Sequence, residues 1–301
     1  MRVLITGATG LIGQEIVKQC HAKGIKVNYL TTSKSKITTH DNYKGYYWNT
    51  DTNTIDTNCF NEVDTIIHLA GASISKRWTS AYKKEIINSR VKSTQLLINT
   101  LQTINHTVKH VVSASAIGIY PDSLTNYYDQ THTETSDSFL GEVVKLWEHA
   151  VNGFLKLNIS VSKIRIGLVL SNQGGALKEL VKPIKLGVGA AFGSGEQWQS
   201  WIHIKDLAQI FVFVAMHKLP GIYNGVASNP VTNNELVKTT AKVLKKPLFL
   251  PNIPKFAMKL ILGDMHIILF ESQRVSCKCI ARKGYTFEFN YIEPALRDLL
   301  G

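Results

Sequence analysis

The chain opens with Arg2-Val3-Leu4-Ile5-Thr6, an apolar run that leads straight into Gly7, Gly10 and Gly13 at G-x-x-G-x-x-G spacing. At a strand-to-helix junction this spacing suits one chemistry, the binding of a pyrophosphate. Gly7 permits the tight turn, Gly10 lets the main chain approach the phosphates, and Gly13 lets the helix pack against the strand. Thr9, Leu11 and Ile12 complete the loop and would offer main-chain amides at the positive end of the helix dipole.

The residue that ends the second strand decides which ribose such a site prefers. A helix from Gly13 to about Lys23, stopped by Gly24, and a strand over Ile25 to Leu30 bring the chain to Thr31, Thr32, Ser33 and Lys34, followed by Ser35 and Lys36. No carboxylate stands there to accept from a ribose 2′-hydroxyl. Hydroxyls and lysines suit a 2′-phosphate instead, so the expected cofactor is NADP in preference to NAD.

These residues need a scaffold, and the rest of the chain predicts one. Strands are expected at Tyr43 to Trp48, Asp64 to Leu69, Val108 to Ser113 and Ser160 to Ile166, with helices at about Thr79 to Gln102 and Ser138 to Leu157 between them. Such βα alternation predicts an α/β fold: a Rossmann-type doubly wound parallel sheet whose ligands sit at the carboxyl ends of the strands. Past residue 170 the pattern loosens into glycine-rich connections from Gly174 to Gly195. Helices are expected from Thr232 to about Leu244, Lys255 to Gly263 and Ile292 to Leu300, with a strand at Tyr285 to Phe289. This predicts a dinucleotide-binding domain over 1–170, a substrate lobe over 171–246 interleaved with the end of the sheet, and a smaller mixed C-terminal subdomain over 247–301.

Composition narrows the function. The chain has 301 residues, 44% of them hydrophobic, enough for a large core, and a formal net charge of +12. Its lysines are spread rather than striped, which argues against a nucleic-acid partner and fits steering of an anionic small molecule. Cys20, Cys59, Cys277 and Cys279 form neither a disulfide framework nor a metal spacing, so no metal is expected. With a buried strand at the N-terminus and no apolar run of membrane length, the expectation is a cytoplasmic protein without a membrane partner.

Four stretches, Gly7 to Gly13, His68-Leu69-Ala70-Gly71-Ala72, Ser113-Ala114-Ser115-Ala116 and Trp201-Ile202-His203-Ile204-Lys205-Asp206, resemble the extended short-chain dehydrogenase/reductase superfamily of NAD(P)-dependent epimerase/dehydratase type. Ser75-Lys76-Arg77-Trp78, Asn88-Ser89-Arg90-Val91, Gly193 to Trp198, Leu262-Gly263-Asp264-Met265 and Ser272-Gln273-Arg274-Val275 are similar to one branch of it, which carries a C-terminal domain of unknown function. The resemblance implies that Leu69, Ala70, Gly71, Ala72, Ser113 and Arg90 line the cofactor, and that long helices pair in a homodimer.

It also implies a catalytic serine, tyrosine and lysine, the tyrosine acting as acid or base once a cation favours its anion. Ser115 matches the serine. If Lys145 is the lysine, Gly141 stands where the tyrosine belongs, and Arg90 replaces the superfamily's asparagine. A relocated hydroxyl could come from Tyr120, Tyr127 or Tyr128, which serve equally as packing residues. Lys145 fits a ribose contact or a solvated helix face, His203 acid-base work or local packing, and Arg90 a phosphate, a carboxylate or a pairing with Glu85. The expected function is an NADP-binding, epimerase-like oxidoreductase of a small carbonyl or sugar-like substrate, with Ser115, Lys145 and His203 as catalytic candidates. The rival is a dinucleotide-sensing regulator that acts through a protein partner.

Overall fold

The computed structural model describes residues 1–301. Along the chain run β1 (Arg2–Thr6), α1 (Leu11–Ala22), β2 (Lys26–Thr31), β3 (Tyr43–Asn49), β4 (Thr65–His68), α2 (Ser80–Thr103), β5 (His110–Ala116), α3 (Phe139–Val151), β6 (Ser160–Ile166), α4 (Ala176–Lys185), α5 (Ile204–His217), β7 (Gly221–Gly225) and α6 (Asn233–Val243). The seven strands are all parallel, in the order β7-β6-β5-β4-β1-β2-β3, and the short strands Thr39–His40 and Thr54–Ile55 add antiparallel edges to β3. Strand order reverses at β1 and β4, so the crevice above their carboxyl ends is the topological switch point.

The strands are apolar on both faces because helices cover both. Val3, Leu4, Ile5, Ile66, Ile67, Val111 and Val112 are wholly buried. Helices α1 and α5 pack together on one face, α2 and α3 on the other. Thr79, Ser138 and Thr232 cap their helices with side-chain oxygens, which sets where α2, α3 and α6 begin.

Several expectations need correction. β5 runs to Ala116, three residues past Ser113, because its register with β6 continues through the Ser115–Arg165 and Ala116–Ile166 pairs. α3 ends at Val151, and Asn152–Leu157 tightens into a 3-10 turn. Helix α4 lies within the stretch that reads as glycine-rich connections, and α5 follows it where no helix is expected; α5 is apolar nearly all round and buried, so it lacks a two-sided pattern. Tyr285 to Phe289 is not a strand. Its alternating Tyr285, Phe287 and Phe289 are buried, but the main-chain amides of Glu288 and Phe289 bond the Asp206 carboxylate at 2.9 Å each, and that carboxylate takes the place of a neighbouring strand. No helix is long and apolar enough to cross a membrane, no His, Cys, Asp and Glu cluster could hold a metal, and all four cysteines are free.

Candidate functional site

The glycine loop between β1 and α1 has the shape its spacing predicts. Gly7 adopts φ +72°, where a side chain would be strained, and a Cβ there would also press the main chain of Leu69 at 3.2 Å. A Cβ on Gly13 would be driven into the Gly7 carbonyl and stand 2.7 Å from Ala8 Cα, so only glycine lets α1 approach β1 this closely. At Gly10 a Cβ would meet nothing within 4 Å but the Gly7 carbonyl at 3.3 Å, which leaves the outer side open. α1 has no side-chain cap, and its first bond runs from Gln14 N to Gly10 O, so the amides of Leu11, Ile12 and Gly13 have no partner within the helix. Thr9 is half-buried beside them.

A hydroxyl–imidazole lock shapes the loop after β4. The Thr6 Oγ1 oxygen accepts the amides of Leu69 and Ala70 at 3.0 Å each, so its proton goes to His68 Nδ1, 2.8 Å away. His68 then carries its own proton on Nε2, 3.0 Å from Thr94 Oγ1. Burial holds this imidazole down at about 4, a neutral strut at ordinary pH. Gly71 and Ala72 follow, with Arg90 beneath them: a Cβ on Gly71 would lie 3.1 Å from Arg90 Cζ. Arg90 does not pair with Glu85; its hydrogen bonds go from Nη1 to the carbonyls of Ala72 and Ile86.

At the end of β2, Thr31 is buried and its hydroxyl accepts the Ser33 amide at 3.2 Å. This turn exposes Thr32, brings the Ser33 and Ser35 hydroxyls to 2.9 Å, and leaves Lys34 exposed with its ammonium over Tyr47. No carboxylate touches the cluster.

The candidate catalytic residues are not brought together. Ser115 is buried on the α3 face and donates to Glu148 Oε1 at 2.6 Å. Arg165, its register partner on β6, grips both oxygens of the same carboxylate at 2.9 and 3.1 Å. From Arg165 the network continues to the Tyr120 hydroxyl, which donates to Asn224. Burial opposes the Glu148 charge, but Arg165, Ser115 and Lys163 together hold its carboxyl below the usual range. Burial raises the Tyr120 phenol. Tyr128 stacks on Tyr120 and Tyr127 lies under Arg274, so all three tyrosines pack. Ser113 is buried, with its hydroxyl on the Ala114 carbonyl, and Lys145 stands exposed on α3.

His203 lies across the sheet on the α5 face. Its Nδ1 caps α5 by accepting the Lys205 amide, its ring stacks on Phe289, and Nε2 sits 3.2 Å from Asp298 but off the hydrogen-bond line. Burial, against the pull of Asp298, lowers it to about 4.

Gly141 has a steric cause. A Cβ there would be driven into the Ser136 carbonyl oxygen and stand 2.8 Å from Ser136 Cβ, so the chain entering α3 closes this position to every side chain. Beside it opens a cavity of about 340 Å³ lined by Asp122, Ser136, Ser138, Lys255, Phe270 and Glu271 among others. Burial raises the Glu271 carboxyl, partly countered by hydrogen bonds from Ser138 and Gln273. Sequence reasoning missed Glu271, Thr6, Glu148 and Arg165. Only Glu148 left a signal, a carboxylate on the buried α3 stripe of Val144, Trp147 and Val151.

The C-terminal segment is sewn over this cavity. Ser272 receives the Trp198 amide and donates to the Ser123 carbonyl, while its own amide bonds Asp122. Arg274 lies over the Trp198 ring at 4.3 Å. Met265, Ile267 and Ile268 pack on Trp78, Ile86 and Val143, so stretches distant in sequence share one wall.

Comparison with known proteins agrees with this geometry. Residues 3–142 match the NAD dependent epimerase/dehydratase family, and residues 253–299 match a domain of unknown function, DUF1731. An epimerase family protein of Staphylococcus epidermidis is 34% identical, with 99% of each chain covered. One from Staphylococcus aureus is also 34% identical, over 99% of this chain and 98% of that one. The human epimerase family protein SDR39U1 (isoform 2), solved with NADPH, superposes with a TM-score of 0.85 at 28% identity, covering 99% of both chains. A nucleoside-diphosphate sugar epimerase from Corynebacterium glutamicum gives 0.79 at 27%, covering 100% of this chain and 58% of that one. The chain therefore belongs to the epimerase family, as a Rossmann-like member in which an NAD dependent epimerase/dehydratase domain is followed by DUF1731.

Proposed function

We propose that this protein binds NADP(H) at the β1–α1 loop and is an oxidoreductase of a small carbonyl or sugar-like substrate, with the proton handled without a tyrosine. The observation that carries the cofactor reading is the Gly7–Gly13 cradle: Gly13, which no side chain could replace, Gly7, whose backbone strains any side chain, Gly10, open outward, and uncapped helix amides beside them. The exposed hydroxyls and Lys34 at the end of β2 suit a 2′-phosphate, and SDR39U1, solved with NADPH, supports the same choice. Thr9, Leu11, Ile12 and Leu69 to Ala72 would flank the dinucleotide. When bound, the nicotinamide supplies hydride transfer; the protein's part is to hold it and move a proton. Glu271 is the group best suited to move that proton, since burial lifts its affinity for one and it lines the cavity beside the chain that enters α3. The substrate would enter there, under the C-terminal segment.

The regulator reading stays as the second one, favoured by the closed position at Gly141 and the commitment of Ser115 to Glu148. The test is NADPH oxidation, followed by loss of nicotinamide absorbance, against a panel of aldehydes, ketones and nucleoside-diphosphate sugars. Turnover that falls at least 100-fold in Glu271→Gln at unchanged NADPH affinity supports the enzyme. Saturable NADPH binding with no turnover across the panel gives the regulator the lead.

A further inference from the structure

Arg90 presents an unusual set of unpaired donors. Its guanidinium lies 5.0 Å from the Trp147 ring centroid, and both hydrogen bonds it makes use Nη1. Nε is buried with no acceptor, and Nη2 takes part in neither of those hydrogen bonds. Nε–H and Nη2–H point the same way from the planar group, and this edge is the one that matches the two oxygens of a carboxylate or phosphate. A second orphan belongs to the same stacked pair: Trp147 Nε1–H is also buried without an acceptor. Arg90 donates only to main-chain carbonyls, and burial lowers its pKa only to about 10, so a cation is held against the loop after β4 with no carboxylate partner. Its two carbonyl bonds fix the side chain under Gly71 and Ala72, two and three residues beyond Leu69, whose main chain lies against Gly7.

We infer that Arg90 is an anion-recognition residue, whose Nε–Nη2 edge, backed by Trp147, receives a carboxylate or phosphate of a small molecule bound above β4. The inference rests on the dinucleotide reading only for the identity of one source of that anion. A cofactor phosphate and a substrate anion offer the same oxygens, and the experiment separates them.

Inorganic phosphate is titrated at constant ionic strength, read by thermal shift, into the wild type, Arg90→Gln and Arg90→Lys, with and without saturating NADPH; NADPH affinity of each protein is measured alongside. The expected result is a saturable phosphate response in the wild type, lost in Arg90→Gln and weakened at least 10-fold in Arg90→Lys, which keeps the charge but not the fork. A response that persists under NADPH assigns the anion to the substrate. A response abolished by NADPH, together with NADPH affinity lowered at least 10-fold in Arg90→Gln, assigns it to the cofactor. Equal or absent phosphate responses with equal NADPH affinity would overturn the inference and leave Arg90 a strut between α2 and α3. Should Arg90→Gln not fold, the wild type and Arg90→Lys still decide. If no protein binds NADPH, the dinucleotide reading fails while the phosphate arm stands.

Discussion

The carbonyl oxygen of Ser136 occupies the space that a side chain on Gly141 would need. With Lys145 taken as the superfamily's lysine, the tyrosine's place falls on Gly141, which main chain closes to every side chain, so one substitution cannot supply a tyrosine there. Gly141→Tyr is expected to gain no reductase activity and to cost at least the 1–3 kcal/mol typical of overpacking, about 2–4 °C of Tm for each kcal/mol. A variant with the wild-type Tm and new turnover would contradict the steric account.

One loop glycine should separate binding from folding. Gly10→Glu places a charge where a Cβ has open space, so NADPH affinity should disappear while Tm changes little. Gly13→Ala should lower Tm as well as NADPH affinity, since its Cβ is driven into the β1–α1 main chain that forms the loop. Calorimetric binding and melting on both variants check this, and equal NADPH affinity in Gly10→Glu would refute the cradle.

Ser115 and Glu148 predict a structural phenotype. Ser115→Ala should cost about 1.5–3 kcal/mol, the range for a hydrogen bond to a charged group. Glu148→Gln should cost more, about 3–5 kcal/mol, because it strands Arg165 and Lys163 in the interior. Denaturant melts distinguish the two. A stable Ser115→Ala protein that has lost only turnover would return the serine to a catalytic role.

Much of this was legible in the sequence, and the reasons are local. Gly7 to Gly13, the β-strand runs and the capping residues Ser138 and Thr232 each specify structure through near neighbours. The Ser115–Glu148–Arg165 network was not legible, because it depends on the register of β5 against β6 and on which face of α3 turns inward. Tyr285 to Phe289 shows the same limit: its alternation correctly marks the buried side chains, while the partner of its main chain is the carboxylate of Asp206, seventy-nine residues before Tyr285.

Acid should weaken the fold before the carboxylates titrate. Burial lowers His68, His110 and His203 to about 4, below the ordinary 6.5. Between those values the unfolded chain binds more protons than the folded one, so stability is full above about pH 6.5 and falls toward pH 4, by up to ~1.4 kcal/mol per pH unit for each histidine. His203→Asn retains a capping oxygen for α5 and should flatten the slope of Tm against pH over that window. An unchanged slope would show that His203 titrates normally.

The central claim is a dinucleotide site that prefers NADP(H), and one side-by-side titration tests it: thermal shift with NADPH and with NADH on the wild type and on Ser33→Asp/Lys34→Ala. A ligand at a hundred times its Kd stabilises by about 2.7 kcal/mol, a shift of several degrees. The account predicts saturable stabilisation with NADPH the tighter ligand, and a preference moved toward NADH in the double variant. No response to either nucleotide would contradict the site itself, and tighter NADH binding in the wild type would contradict the role assigned to Thr32, Ser33 and Lys34.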